Sequence, residues 1–104
     1  MTVTELTNGQ FEKFIEKGTV LIDFFADWCM PCLMMAPIID DLSDKFKQKI
    51  KFGKVDIEEN QALAGKFQVH SIPNFVLFKD GKPIERFAGA MSSEDFEDKL
   101  KKFL

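Results

Sequence analysis

The chain contains two cysteines, Cys29 and Cys32, set in Trp28-Cys29-Met30-Pro31-Cys32. Side chains at i and i+3 in a first helical turn lie ~5–6 Å apart at Cβ, close enough for a disulfide after slight adjustment. A loop this short gains only roughly 2 kcal/mol from cross-linking, against ~4.7 for a 100-residue loop. The pair is poorly placed as a staple and well placed as a bond to be made and broken. Pro31 suits that turn, because its missing N–H would go unpaired there anyway. Unpaired amides and the positive end of the helix dipole stabilise a thiolate, lowering its pKa below ~8.5. Cys29, at the tip, is expected to be the exposed nucleophile. Cys32, one turn further in, is expected to be the buried thiol that resolves a mixed disulfide. The competing chemistry is a zinc half-site. Zinc takes four ligands and His70 is the only other strong candidate, so a closed site would need dimerisation or carboxylates. A C-x-x-C inside a βαβ pattern favours redox chemistry over metal.

Asp23 is the second residue with chemistry to offer. It interrupts the apolar run Val20-Leu21-Ile22-Asp23-Phe24-Phe25. A carboxylate there is costly to keep ionised, so its pKa should rise well above ~3.9. One reading is an edge position facing water, but apolar residues on both sides favour burial. A buried acid near the cysteines could move the proton of Cys32, directly or through a water.

These residues need a scaffold. Val20 to Phe25 reads as a central strand buried on both faces. The helix after the cysteines carries Met35, Ile38, Ile39, Leu42 and Phe46 on its apolar stripe, with a kink expected at Pro37. Before the strand, Thr7 and Gln10 stand at capping-box spacing, Phe11, Phe14 and Ile15 form an apolar face, and Gly18 closes the helix. After it come a strand at Phe52–Ile57 and a short helix at Asn60–Phe67 capped by Asn60. A strand at Phe75–Phe78, an Asp80-Gly81 turn and a strand at Ile84–Phe87 then form a hairpin. Ser92 and Asp95 start a last helix with Phe96, Leu100 and Phe103 inward. The order is β-α-β-α-β-α-β-β-α. Alternation followed by a hairpin implies an α/β fold, a mixed central sheet with helices on both faces.

The segment Asp23-Phe24-Phe25-Ala26-Asp27-Trp28-Cys29-Met30-Pro31-Cys32, followed by Ala36-Pro37, resembles the active site of the thioredoxin family. The likeness continues through Lys54-Val55-Asp56, Ile72-Pro73, Phe78-Lys79-Asp80-Gly81 and Gly89, essentially the whole chain in order. The resemblance implies a thioredoxin fold and reduction of protein disulfides. It assigns proton transfer to Asp23 and places Lys54, which alone would pass for a surface residue, close by. It also implies a cis bond before Pro73, with the Ile72 backbone facing Cys29 and pairing with an incoming peptide. Trp28, Met30, Pro31, Ile72, Gly89 and Ala90 would then ring Cys29 as an apolar docking surface for extended or loop-borne disulfides. No bound cofactor or metal is needed, and a flavin-dependent thioredoxin reductase would return the electrons.

Four positions depart from the family pattern. Met30 stands where glycine is usual, Phe25 where tryptophan is commoner, Leu33 where a basic residue is usual, and Asn74 where threonine follows the proline. Met30 and Leu33 add adaptable apolar surface, unless Leu33 packs inward; losing a cation removes some support for a thiolate. His70 precedes the proline loop, where it could contribute a pH-dependent charge, but it reads first as a solvated loop histidine.

Composition narrows the rest. The 104 residues allow one domain, 1–104, large enough to fold without a disulfide framework. Twelve Phe, one Trp and no Tyr suggest a Phe-filled core. A net charge of −3 argues against a nucleic-acid partner. The run Val20–Ala26 is too short to span a bilayer and carries Asp23, and no secretory segment precedes it. A cytoplasmic, reducing compartment and a monomer are therefore expected. Within the redox class the rivals are a disulfide oxidase or isomerase and a glutaredoxin-like protein. The missing signal segment disfavours secreted oxidases, and proline in the second intervening position disfavours the glutaredoxin pattern. A binding module or a dimeric metal-cluster scaffold on the same fold is the rival from another class.

Overall fold

A computed structural model describes residues 3–104. Its elements run β1 (Val3–Glu5), α1 (Asn8–Ile15), β2 (Thr19–Phe25), α2 (Met30–Lys45), β3 (Lys51–Asp56), α3 (Gln61–Lys66), β4 (Asn74–Lys79), β5 (Lys82–Ala88) and α4 (Ser93–Lys101). The five strands form one sheet in the order β1-β3-β2-β4-β5. β1 and β2 run parallel to β3, while β4 is antiparallel to both β2 and β5. The expected mixed sheet is present, with β2 at its centre. β1 lacks any pattern that would mark it: three residues, none buried.

Alternation along β2 divides the core. Val20, Ile22 and Phe24 pack with Phe11 and Ile15 of α1 and Leu63 of α3. Leu21 faces the other way, with Met35, Ile39 and Leu42 of α2 and Phe96 and Leu100 of α4. The helices thus cover both faces. Period 2 puts Asp23 and Phe25 on the α2/α4 face with Leu21. Phenylalanine fills both halves: Phe11 meets Phe78 edge-on at 5.8 Å, and Phe75 meets Phe96 edge-on at 4.8 Å.

The helix starts follow from local chemistry. Gln10 Oε1 accepts from the Thr7 N–H at 3.0 Å, and Ser92 Oγ accepts from the Asp95 N–H at 3.1 Å. Asn60 stands at the N-cap of α3, but its side chain donates back to the Asp56 carbonyl at 3.0 Å instead of capping. Gly18, at φ +76, lies beyond the end of α1, in the turn before β2. Asp80 and Gly81, at φ +50 and +85, make the tight turn between β4 and β5. Pro37 lies inside α2, which continues through it to Lys45.

Candidate active site

Strand β2 ends at Phe25, and four residues later Cys29 caps α2 in an extended conformation. Its Sγ accepts from the Cys32 backbone N–H at 3.2 Å. The helix N-terminus therefore turns an unpaired amide onto the sulfur of Cys29. Cys29 and Cys32 are joined in a disulfide, with Cα atoms 5.2 Å apart.

Cys29 is not the exposed residue that its position at the helix tip suggested. It is 4% exposed, no more than Cys32 at 5%. Both pack with Ala26 against Phe25, Ile57 and Ile72, so residues distant in sequence close over the helix tip. What stands in solvent is the surround: Trp28 and Met30 are 65% and 66% exposed, Pro31 and Ala90 are exposed, and Ile72 and Gly89 are half-buried. Leu33 is exposed as well and does not pack inward, and Met34 beside it extends the apolar surface along α2.

The Ile72–Pro73 bond is cis. Pro73 is buried, and its carbonyl accepts from the Gly89 N–H at 2.9 Å, with Gly89 at φ +87. That hydrogen bond ties two loops of the surround together. The Trp28 indole N–H donates to Glu58 Oε1 at 2.7 Å, while the Glu58 amide donates to Asp56 Oδ1 at 2.9 Å. Glu58 thus orients the one indole. In the sequence it is half of an ordinary acidic pair, 30 residues from its partner.

Asp23 sits behind the disulfide, buried, and its Oδ1 has no hydrogen-bond partner among the described residues. Burial pushes its pKa up to about 7, against the pull of the Lys54 cation. Lys54 lies opposite Asp23 in the β2–β3 register, with Nζ 5.5 Å from the centre of the Phe25 ring. A cavity of about 150 Å³ is lined by Asp23, Lys54 and Cys32, with Phe25, Ala26, Asp27, Leu33 and Ala36 around them. The carboxyl and the inner cysteine open onto one space large enough to hold water. A larger groove, about 580 Å³ between α1 and strands β1 and β3, contains none of these groups. Chemistry, not size, locates the site. His70 is exposed on its loop. Among the described residues no three His, Cys, Asp or Glu side chains are grouped to hold a metal ion.

A dithiol–disulfide pair on a helix N-terminus, at the end of the central strand of a mixed sheet, defines a thiol–disulfide oxidoreductase. Comparisons with known proteins agree. The thioredoxin family model matches residues 2–102. Thioredoxin of Staphylococcus haemolyticus (strain JCSC1435) is 38% identical over 104 residues, the full length of both chains. Thioredoxin of Staphylococcus aureus (strain Mu50 / ATCC 700699) is 36% identical over the same full length. The chain belongs to the thioredoxin family, and its activity is reduction of protein disulfides.

Proposed function

We propose that Cys29 is the attacking thiol, Cys32 the resolving thiol, and Asp23 the group that handles the proton of Cys32. The observation that carries this reading is the shared cavity of Asp23 and Cys32, set behind a Cys29 sulfur that faces the helix amide. In the reduced protein the Cys29 thiolate attacks one sulfur of a target disulfide. A mixed disulfide forms, and the other target sulfur leaves as a thiolate and takes a proton. Asp23 then accepts the proton of Cys32 through the cavity, with Lys54 tempering the charge that results. The Cys32 thiolate attacks Cys29, and the second target sulfur leaves with a proton. Two electrons have passed to the target, and the protein is left with the Cys29–Cys32 disulfide.

Trp28, Met30, Pro31, Ile72, Gly89 and Ala90 form the docking surface, and the Ile72 backbone beside cis-Pro73 pairs with the extended target chain. The exposed apolar surround supports protein targets over a single small polar one. The domain works as a cytoplasmic monomer, without a bound metal or cofactor. A flavin-dependent reductase renews the dithiol. No described helix is long and apolar enough to cross a membrane.

The test is dithiothreitol-driven reduction of insulin by wild type, Cys29→Ser and Cys32→Ser. Cys29→Ser should be inert, and Cys32→Ser should accumulate a mixed disulfide on Cys29. Equal turnover by all three proteins would end the assignment.

A further inference from the structure

The loop that carries Ile72 is braced from the side away from the cysteines. Asn74 follows Pro73 and is buried, and its Nδ2 donates to the Ser71 carbonyl at 3.3 Å, closing the turn across Ile72 and Pro73. Its Oδ1 accepts from a guanidinium nitrogen of Arg86 at 3.1 Å. Arg86 lies opposite Val76 in the β4–β5 register, so it shares a sheet face with Asn74. The same guanidinium donates to the carbonyls of Phe67 and Gln68, just beyond α3, where Gln68 takes φ +54. One planar, permanently charged fork thus joins the end of α3, strand β5 and the proline loop. On its other side that loop sets Ile72 against the cysteines.

We propose that Arg86 is a positioning residue, which acts through Asn74 to hold the Ser71–Pro73 loop where the Ile72 backbone can receive a protein substrate. The inference rests on the reading that this backbone pairs with the target chain. Arg86 touches neither sulfur. Its loss should loosen the receiving edge and leave thiol chemistry intact. A bulky protein disulfide and a small soluble one should therefore respond differently.

The experiment is steady-state turnover of insulin, beside reduction of 5,5′-dithiobis(2-nitrobenzoic acid), which offers no peptide backbone to pair. Four proteins are compared: wild type, Arg86→Ala, Asn74→Ala and the double variant. Arg86→Ala should raise KM for insulin about fivefold, the net scale of one ordinary hydrogen bond, and leave kcat within about twofold. Its rate with the small disulfide should match wild type. In the Asn74→Ala background, Arg86→Ala should add less than about a further twofold in KM, because the brace is already gone. Fully additive KM effects would overturn action through Asn74. An equal loss on both disulfides would overturn a substrate-receiving role. Wild type inert toward insulin would overturn the docking reading itself, and this inference with it.

Discussion

On one face of β2, Val20, Ile22 and Phe24 are closed beneath α1 and α3 among Phe11 and Phe78. On the other, Leu21 is followed by Asp23 and Phe25 beneath the start of α2, where a carboxyl oxygen has no partner among the described residues. One backbone carries both. The first face gains stability from every side chain it buries. The second gives up stability at one position to keep a proton-handling group next to a sulfur. A strand buried on both sides can do this because its own alternation separates the two tasks.

The contrast breaks most visibly on the dry face. Phe11 is fully buried and its ring meets those of Phe24, Phe67 and Phe78, so Phe11→Ala should cost about 3–5 kcal/mol in denaturant melts. Insulin turnover per folded molecule should stay within about twofold of wild type, as the ring is remote from the cysteines. A large loss of specific activity would mean that the two faces are not separate.

On the reactive face the sign reverses. Asp23 has a folded pKa of about 7, above its unfolded value, so the folded state keeps a proton that the unfolded state releases. Stability therefore falls as pH rises from ~4 through ~7, and the penalty persists above that. Asp23→Ala should be about 2–4 kcal/mol more stable than wild type near pH 8, with the gain vanishing toward pH 4. It should also slow release of the mixed disulfide and remove the pH dependence of that step near neutrality. A less stable variant near pH 8 would contradict the buried acid.

Lys54 sharpens the same face more gently. Its cation pulls the Asp23 pKa down, so Lys54→Met should move the Asp23 titration upward by about one unit or less. Stopped-flow pH profiles of mixed-disulfide release would record the shift. A downward shift would show that Lys54 does not act on the carboxyl by its charge.

Much of this contrast was legible in the sequence because it is local. The apolar run of β2 with one acid in it, the capping chemistry of Thr7 and Ser92, and the C-x-x-C spacing each lie within a few residues. What escaped depends on distant partners. The leading strand of the expected order is present but had no bounds in the sequence, because β1 is three residues long and largely in solvent, too short for a period to show. Cys29 loses its exposure to Ile57 and Ile72, contributed by other loops. Glu58 reaches Trp28 only once β3 has set it there, and Arg86 reads as one more surface cation until it meets Asn74.

The role proposed for Asp23 requires that the carboxyl behind the disulfide be a displaced acid facing Cys32. Carbon-13 NMR of the Asp23 side-chain carboxyl, followed through a pH titration of the oxidised protein, tests it without relying on turnover. A midpoint near 7 is expected. A midpoint near ~4, the ordinary value for an aspartate in water, would contradict it.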